Sequence, residues 1–544
     1  WTQGDSRGDN LMTNASAGTA DLSAIRTLAD VVRVHAARRP DAPALEIAGR
    51  TVTFGELDER SSRVAQALRA AGVGPGDRVA FIDKNGLEYF DVTFALAKLN
   101  AVNVAVNWRL APPEMAQIIA DAEAAVVIVG PDYLGHIERV EADLDRVRTI
   151  VAVGGHDRWA DYDDWMSDHP AEDPGVEAAG TDVAFQLYTS GTTGLPKGVM
   201  CTQDNFFKGV GGLADQWRFT TDSVNLAMMP MFHIAGAGWA MVGLHHGCRT
   251  VVLRDIDPAA VLAAIPAFGV TNIFMVPAVI QFLLATPGVE STDFTTLRAL
   301  VYGASPITDT VLVKGMETLG CEFIQVYGLT ETTGAITQLD GVDHDPVHKP
   351  ALLRSCGRPY PWVEVRIVEP STGEDVAVGD VGELWTRSRQ NMAGYWNNPK
   401  ATAEALTPDG WFKTGDAGYT DAGGFLYLHD RVKDMIVSGG ENVYPAEVEN
   451  VVAKHPAVAD VAVIGVPDER WGEAVKAIVV PAPGIEANDA TAAEIIAWAR
   501  ENLAGYKLPK SIDYAEVLPR NPSGKLLKRE LREPYWAGVE RRVG

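Results

Sequence analysis

The stretch VAFQLYTSGTTGLPKG, residues 183–198, contains the strongest local signal in the chain. Its apolar first part, residues 183–187, predicts a buried strand. The second part, residues 188–198, combines four Ser/Thr hydroxyls, three glycines and one lysine. Glycine lets the backbone approach an anion closely, and hydroxyl and N–H groups supply hydrogen-bond donors. We therefore predict a loop that binds a polyphosphate, with a solvated loop as the alternative.

A nucleoside-triphosphatase P-loop is the obvious rival interpretation of this segment. That motif requires Gly-x4-Gly-Lys-Ser/Thr. Here Pro196 stands at the second glycine position, and Gly198 follows Lys197 where a hydroxyl is required. Since two fixed positions fail, the sequence argues against a P-loop.

Around this segment, short β-rich runs alternate with helical stretches. Residues 56–72 carry apolar side chains at helical spacing and end on glycine. Strands that alternate with helices predict α/β layers. The runs typical of buried strands are residues 125–129, 148–153, 250–254 and 272–276.

Turn residues become dense between residues 407 and 445 and separate a second, smaller region. Downstream we predict helices over 446–454 and 491–505 and strands over 461–466, 476–481 and 511–518. This pattern fits an α+β domain. The predicted division is a loose terminus over 1–18, an N-terminal domain over 19–430 and a C-terminal domain over 431–544.

Composition narrows the possible functions of the chain. The 544 residues include 47 Lys+Arg and 72 Asp+Glu, for a formal net charge of −25. General binding to nucleic acid or anionic lipid is disfavoured, because both depend on a basic surface. No apolar run reaches the ~18 residues of a membrane helix. The sequence leaves open a peripheral membrane contact and a homodimer.

The four cysteines, Cys201, Cys248, Cys321 and Cys356, form no CxxC or Cys/His cluster. A disulfide framework and a structural zinc site are therefore disfavoured. The first eighteen residues lack the apolar core of a signal peptide. We predict a reducing compartment and a cytoplasmic location.

Four further segments carry chemistry. YGLTE, residues 327–331, offers an aromatic face, a hydroxyl and a carboxylate at the end of a predicted strand, and one carboxylate together with phosphates commonly holds Mg²⁺. TGD, residues 414–416, places a carboxylate on a predicted turn, where it suits a ribose diol. RVKD, residues 431–434, lies at the domain boundary, and PSGK, residues 522–525, presents a lysine. Each segment also has a purely structural interpretation. In the same order, these are a packed tyrosine at a strand–loop corner, a common turn, a charged linker and a solvated lysine.

In this order and at these separations, the segments resemble the adenylate-forming superfamily of acyl-CoA synthetases, peptide-synthetase adenylation domains and firefly-type luciferases. The resemblance runs from about Thr27 to Leu531 and includes GELWTRSRQNMAGYWNNPKAT, residues 382–402. It implies a large N-terminal adenylate-forming domain of layered sheets and helices, with a smaller, mobile α+β C-terminal domain. It also implies an AMP-forming acid–thiol ligase that uses ATP, Mg²⁺ and CoA.

The resemblance assigns a role to individual residues. Lys525 would bridge the substrate carboxylate and the α-phosphate, Thr330 would bind phosphate and Glu331 would hold Mg²⁺. Lys433 would be the hinge of a domain rotation, and Asp416 and Arg431 would bind the ribose. The remaining nucleotide and pantetheine contacts would be Thr189, Ser190, Gly191, Thr192, Thr193, Lys197, Gly303, Ala304, Ser305, Tyr327, Gly328, Gly439 and Gly440.

The segment MPMFHIAGAGW, residues 229–239, resembles the part of the family that lines the acyl pocket. It has no carboxylate to pair with an ammonium, which disfavours amino-acid substrates. His233 would lie near the acyl group, with a packing histidine as the alternative. Small residues at 235–238 would leave room for the substrate. Ala237 stands where some long-chain members have a gating Trp, and Trp239 follows.

The predicted substrate is a medium- to long-chain fatty acid, with an aryl, alicyclic or steroid side-chain acid as the alternative. The chain ends about twenty residues after Lys525, so the expected acceptor is free CoA or a separate protein. An acyl-AMP ligase that serves a carrier protein, a luciferase-like monooxygenase and a non-enzymatic acyl-nucleotide sensor are the other hypotheses.

Overall fold

The computed structural model describes residues 22–189, 196–370, 372–431, 434–438, 441–468, 470–520 and 526–537. The strands of the N-terminal part are β1 (Pro43–Ile47), β2 (Arg50–Thr53), β3 (Arg78–Ile82), β4 (Val102–Ala105), β5 (Val126–Val129), β6 (Thr149–Ala152), β7 (Ala160–Asp161), β8 (Val183–Thr189), β9 (Lys197–Thr202), β10 (Val224–Ala227), β11 (Arg249–Val252), β12 (Asn272–Met275), β13 (Ala299–Gly303), β14 (Glu322–Leu329), β15 (Gly334–Leu339), β16 (Arg358–Pro359), β17 (Glu364–Val368), β18 (Gly382–Arg387), β19 (Gly394–Tyr395), β20 (Phe412–Thr420) and β21 (Leu426–Arg431). The later strands are β22 (Ile436–Ser438), β23 (Glu441–Val443), β24 (Val458–Asp468), β25 (Gly472–Pro481) and β26 (Ser511–Tyr514).

The helices alternate with these strands along the chain. They are α1 (Leu28–Arg38), α2 (Phe54–Ala70), α3 (Leu87–Lys98), α4 (Pro112–Asp121), α5 (Leu134–Glu138), α6 (Tyr162–Ser167), α7 (Gln203–Gln216), α8 (Ile234–His245), α9 (Pro258–Phe268), α10 (Pro277–Leu284), α11 (Asp309–Leu319), α12 (Pro399–Ala405), α13 (Pro445–Val452), α14 (Asp489–Asn502) and α15 (Lys528–Trp536).

Two large mixed sheets form the N-terminal part. The first has the order β16-β15-β14-β13-β12-β10-β11-β1-β2 and is parallel from β14 to β1. The second has the order β19-β9-β8-β4-β3-β5-β6-β7 and is parallel from β8 to β7. Because β13 and β14 run side by side in parallel, the residues that follow them meet at one sheet edge.

The two sheets share one hydrophobic core with the helices between them. The largest buried cluster contains Val79 of β3, Val301 of β13, Phe90 of α3 and Trp239 of α8. Each of the four runs predicted as buried strands overlaps an observed strand, β5, β6, β11 or β12. The prediction of layered α/β structure is confirmed.

Beyond the two large sheets, β17-β18-β20-β21 form a small antiparallel sheet. The C-terminal sheet has the order β23-β22-β25-β24, with β26 beside β25. Val448 of α13 and Ile495 of α14 pack with Val463 and Val475 of this sheet in a core of their own. The predicted smaller α+β unit is therefore confirmed, whereas its boundaries and its mobility stay predictions.

None of the helices among the described residues is long and apolar enough to cross a bilayer.

Candidate functional site

The segment predicted as one polyphosphate loop is a β-hairpin. Strand β8 continues through Thr189 and β9 begins at Lys197, and these two residues pair across the antiparallel strands. The prediction of a single loop from Tyr188 to Gly198 was wrong at both ends, because the backbone ladder extends closer to the turn. The hairpin also differs from a P-loop, in which the phosphate loop leads into a helix.

Part of the predicted site lies outside the described residues. This applies to Ser190, Gly191, Thr192, Thr193, Lys433, Gly439, Gly440 and Lys525. Arg431 is the backbone partner of Asp416 between β21 and β20. The roles of all these residues stay predictions.

Thr330 and Glu331 lie directly after β14, at the end of the strand as predicted. They belong to one 3-10 turn, Thr330–Thr332. The Glu331 carboxylate accepts a hydrogen bond of 3.0 Å from the hydroxyl of Tyr395. Its backbone oxygen accepts a second one, of 2.8 Å, from the N–H of Met392. The turn is thus fixed by the segment around β19.

The carboxylate content of the site fits a magnesium ion carried with phosphates. Among the described residues, no group of three or more His, Cys, Asp or Glu side chains could hold a metal ion. Mg²⁺ usually keeps several waters and binds proteins through one or two carboxylates plus substrate phosphates. The single carboxylate of Glu331, close to strand β9, fits this mode of binding.

Asp416 lies on strand β20 and not on the predicted turn. Gly415 has a φ of +69°, and the pairing of β18 with β20 shifts register beside it, so the strand bulges there. A bulge changes the direction of nearby side chains without ending the strand. Asp416 is 8% exposed and accepts a 2.6 Å hydrogen bond from the hydroxyl of Tyr327. Two residues predicted from separate segments to contact the nucleoside therefore touch each other.

The predicted adenine segment begins where β13 ends, at Gly303. A Cβ at Gly303 would lie 2.2 Å from the backbone oxygen of Val326 on β14, so no side chain fits. Ala304 has a φ of +68°, a left-handed conformation that costs an L-residue about 1–2 kcal/mol. This sharp turn places Ala304, together with Gly328, on the wall of a cavity.

The cavity has a volume of about 100 Å³ and is bordered by α7, α8 and the ends of β13 and β14. Aromatic side chains form much of its wall, among them Phe206, Trp217, Trp239 and Phe274. The rings of Trp217 and Trp239 lie 5.4 Å apart. Each indole N–H is anchored by a hydrogen bond, to Tyr360 and to the Leu226 backbone respectively. These two walls are therefore fixed in place.

Small residues of α8 open part of this space. Ala235 and Gly238 line the cavity, and a Cβ at Gly238 would touch only the Ile234 side chain, at 3.5 Å. The prediction of room at 235–238 is confirmed for these two positions. It was wrong for Gly236, whose Cβ would lie 2.2 Å from a backbone oxygen, and for Ala237, which is buried in the core. Helical periodicity turns these two residues away from the cavity.

His233 precedes the first turn of α8 and packs against Phe232, with 4.4 Å between ring centroids. It is not one of the residues lining the cavity. Its Nε2 is buried without a hydrogen-bond partner among the described residues. Burial, with a smaller effect of nearby Arg109, lowers the pKa of His233 to about 4. The imidazole is therefore neutral at pH 7, which suits both packing and a contact with an uncharged group.

The sequence analysis missed two aromatic residues of the site. Tyr395 contacts Glu331, and its ring centroid lies 4.9 Å from Nζ of Lys197. Trp396 donates from its indole to the backbone of Asp121 at 2.9 Å. Both lie in the segment 382–402, which was recognised only as a whole. The adjacent Tyr-Trp pair could have indicated this, because two large rings in a polar segment are expected to pack against neighbouring elements.

Comparison with known sequences gives matches over most of the chain. The sequence model of the AMP-binding enzyme family matches residues 32–396, and that of the AMP-binding enzyme C-terminal domain matches residues 447–525. The fatty acid–[acyl-carrier-protein] ligase ScoC of Streptomyces coeruleorubidus is 40% identical over 526 residues, which cover 95% of this chain and 98% of ScoC. A feruloyl-CoA synthase of Amycolatopsis sp is 40% identical over 497 residues, covering 91% and 96% of the two chains.

A solved structure extends the likeness to three dimensions. The anthranilate CoA ligase AuaEII in complex with anthranoyl-AMP superposes with a TM-score of 0.85 at 26% sequence identity. The match covers 94% of this chain and 97% of AuaEII.

Proposed function

Because this chain belongs to the AMP-binding enzyme family, we propose that it joins a carboxylic acid with a compact, uncharged acyl group to CoA through an acyl-adenylate. It is an AMP-forming acid–thiol ligase of the adenylate-forming superfamily, and ligases of this kind use ATP, Mg²⁺ and CoA. The identity of the acid and the roles of individual residues are our proposal.

Two half-reactions would share the site. In the first, a carboxylate oxygen attacks the α-phosphorus of ATP, and pyrophosphate leaves. In the second, the CoA thiol attacks the acyl carbonyl, loses its proton, and AMP leaves. The first step brings two anions together, so cationic groups must converge on the transition state. Lys197 and Lys525 would supply this charge.

The described geometry supports a proposal for the nucleotide contacts. Thr330 would bind phosphate, and Glu331 would hold Mg²⁺, which offsets phosphate charge when it is bound with ATP. Asp416 would accept hydrogen bonds from the ribose hydroxyls, and the hydroxyl of Tyr327 would keep its carboxylate oriented. Ala304 and Gly328 leave the backbone exposed at the cavity wall, where a flat adenine could approach.

The cavity beside α8 carries the proposal about the acid. A cavity of about 150 Å³ is known to hold benzene, so each carbon needs about 25 Å³. The observed volume of about 100 Å³ is below that of the benzene cavity, so it favours an acyl group no larger than about one ring over a long chain. Feruloyl-CoA synthase and the anthranilate ligase, which by their names act on ring-bearing acids, give this choice further support.

Product analysis by mass spectrometry tests the proposed function. The protein would be incubated with Mg·ATP, CoA and acids from acetate to very long chains, with aryl and steroid acids added. We expect AMP and acyl-CoA, with the highest yield from a one-ring acid. Acyl-AMP without acyl-CoA would indicate a carrier-protein acceptor, and the highest yield from a long chain would contradict the compact acid.

The two lysines outside the described residues allow a test of the predicted domain rotation. Lys525→Ala should abolish adenylation but largely spare thioester formation from pre-made acyl-adenylate. Lys433→Pro should do the reverse. Equal loss of both half-reactions in either variant would contradict the assignment. The division at residues 430/431, the cytoplasmic location and a homodimer stay predictions.

A further inference from the structure

We propose that Tyr395 is a positioning residue that joins the two charged halves of the phosphate site, holding Lys197 with its ring and Glu331 with its hydroxyl. This inference rests on the proposed function, in which Lys197 binds phosphate and Glu331 binds Mg²⁺. It assigns a role to a side chain that the mechanism above does not use.

The ring of Tyr395 interacts with Lys197. The lysine Nζ lies 4.9 Å from the ring centroid, within the distance at which an ammonium is attracted to an aromatic face. Lys197 is the first residue of β9 and pairs with Thr189, the last residue of β8. A flexible four-carbon side chain is thereby restricted near the place where a polyphosphate would bind, which lowers the entropy lost on binding.

The hydroxyl of Tyr395 interacts with Glu331. It donates a 3.0 Å hydrogen bond to Oε1. A carboxylate has two oxygens and several lone pairs, so this bond fixes its orientation and leaves acceptor capacity for a cation. Outer groups that orient metal ligands commonly contribute about 10- to 100-fold to metal affinity.

Tyr395 is itself held rigidly. It belongs to β19, which pairs with β9 through Tyr395–Val199. Its backbone N–H donates to Oγ1 of Thr402 at 2.9 Å, and the residue is 8% exposed. The preceding Gly394 has a φ of +143°, and a Cβ there would lie 2.8 Å from the Thr402 side chain. This close approach fixes the strand that carries the tyrosine.

Two substitutions separate the ring from the hydroxyl. Tyr395→Phe keeps the ring beside Lys197 but removes the donor to Glu331. Tyr395→Leu removes both. If Tyr395 only filled space, Tyr395→Phe should leave Mg²⁺ and ATP binding unchanged, because the two side chains differ only by the hydroxyl oxygen.

The experiment is calorimetric titration of the full chain with ATP in the absence of any acid, at a series of Mg²⁺ concentrations. For Tyr395→Phe we expect the half-saturating Mg²⁺ concentration to rise about tenfold, while ATP binding in EDTA stays within about twofold of wild type. For Tyr395→Leu we expect the same metal defect and, in addition, a roughly threefold weaker binding of metal-free ATP. Thermal unfolding confirms that each variant is folded.

Three comparisons decide the outcome. Tyr427→Phe is the matched control, because its hydroxyl donates to the carboxylate of Asp421 in a hairpin away from the phosphate segment, and it should bind as wild type. Glu331→Gln should weaken Mg²⁺ binding, and Tyr395→Phe should add nothing in that background. A metal defect in Glu331→Gln but not in Tyr395→Phe would overturn the inference and leave the proposed function standing. No defect in either would overturn both assignments.

Discussion

The proposed nucleotide side and the proposed acyl side of the site are built by opposite means. On the nucleotide side, polar side chains touch one another, as Tyr327 touches Asp416 and Tyr395 touches Glu331. On the acyl side, Gly238 leaves space and fixed tryptophans bound it. The nucleotide side therefore depends on contacts between polar side chains, whereas the acyl side depends on the space that small residues leave.

This difference separates the chemistry from the choice of substrate. Side chains that meet in hydrogen bonds lose function when either partner is removed, because the remaining buried group is left unsatisfied. A cavity loses function when atoms are added. Substitutions on the two sides should therefore affect different kinetic constants, which the following predictions test.

The largest effect should come from filling the cavity. Gly238→Leu adds four carbons, or about 100 Å³, which is comparable to the whole cavity. We expect kcat/KM for a one-ring acid to fall about 100-fold, since displaced walls cost roughly 2–3 kcal/mol. Metal-dependent ATP binding, measured by calorimetry, should be unchanged. An equal loss for acetate and the ring acid would show that the helix, and not the free space, had been damaged.

A smaller effect is expected on the polar side. Asp416→Asn keeps the shape of the side chain but removes the charge that strengthens its hydrogen bonds. The KM for ATP should rise about tenfold, because hydrogen bonds to charged groups are worth about 1.5–3 kcal/mol and part of this is retained by the amide. Steady-state kinetics with several acids should give an unchanged order of preference. A changed order would contradict the separation of the two sides.

Acidification should affect His233 and the core histidine His35 alike, and the KM for the acid should distinguish them. Burial lowers the pKa of both His233 and His35 to about 4, so the unfolded chain binds more protons below its own pKa of 6.5. Stability is therefore present above pH 6.5 and is lost as the pH falls from 6.5 towards 4. Between about pH 7 and 5.5 each histidine should cost about 1 kcal/mol of unfolding free energy.

His233→Gln and His35→Gln should each reduce this acid sensitivity in denaturant titrations. Only His233→Gln should also raise the KM for the acid, by about threefold, as expected for the loss of one hydrogen bond. If His233→Gln left the KM for the acid unchanged, His233 would be a packing residue.

The smallest effect should be a gain in stability. Gly238→Ala places a methyl group in ordinary contact with the Ile234 side chain within a helix, where alanine is better than glycine by about 0.5–1 kcal/mol. Denaturant titration should show this increase. Gly243→Ala in the same helix is the matched control, because its Cβ would lie 2.6 Å from the Asn225 amide and should destabilise the protein. A loss of stability in Gly238→Ala would mean that the space is not free.

Sequence patterns predicted the elements and the sheet-edge position of Thr330 and Glu331, because strand runs and their ends depend on local periodicity. They placed Thr189 and Lys197 in a loop and Asp416 on a turn, since neither a hairpin ladder nor a bulge has a local signal strong enough to define its limits. Both depend on pairing with distant strands.

Contacts between distant segments could not be predicted from local sequence patterns. Tyr395 lies 64 residues from Glu331, and Tyr327 lies 89 residues from Asp416. The sequence also did not show which small residues of α8 face the cavity. Gly236 and Ala237 are small like Gly238 but lie on a different face of the helix.

The open position at Gly238 also bears on how such a protein can diverge. A glycine codon becomes an alanine or valine codon by one base change, and we expect the first of these changes to carry no stability cost at this position. The preference for an acid can therefore drift in single small steps, while the residues that handle ATP are inherited intact. Related proteins would then share one reaction and differ in the acid they use, and the substitutions responsible would lie on one turn of α8.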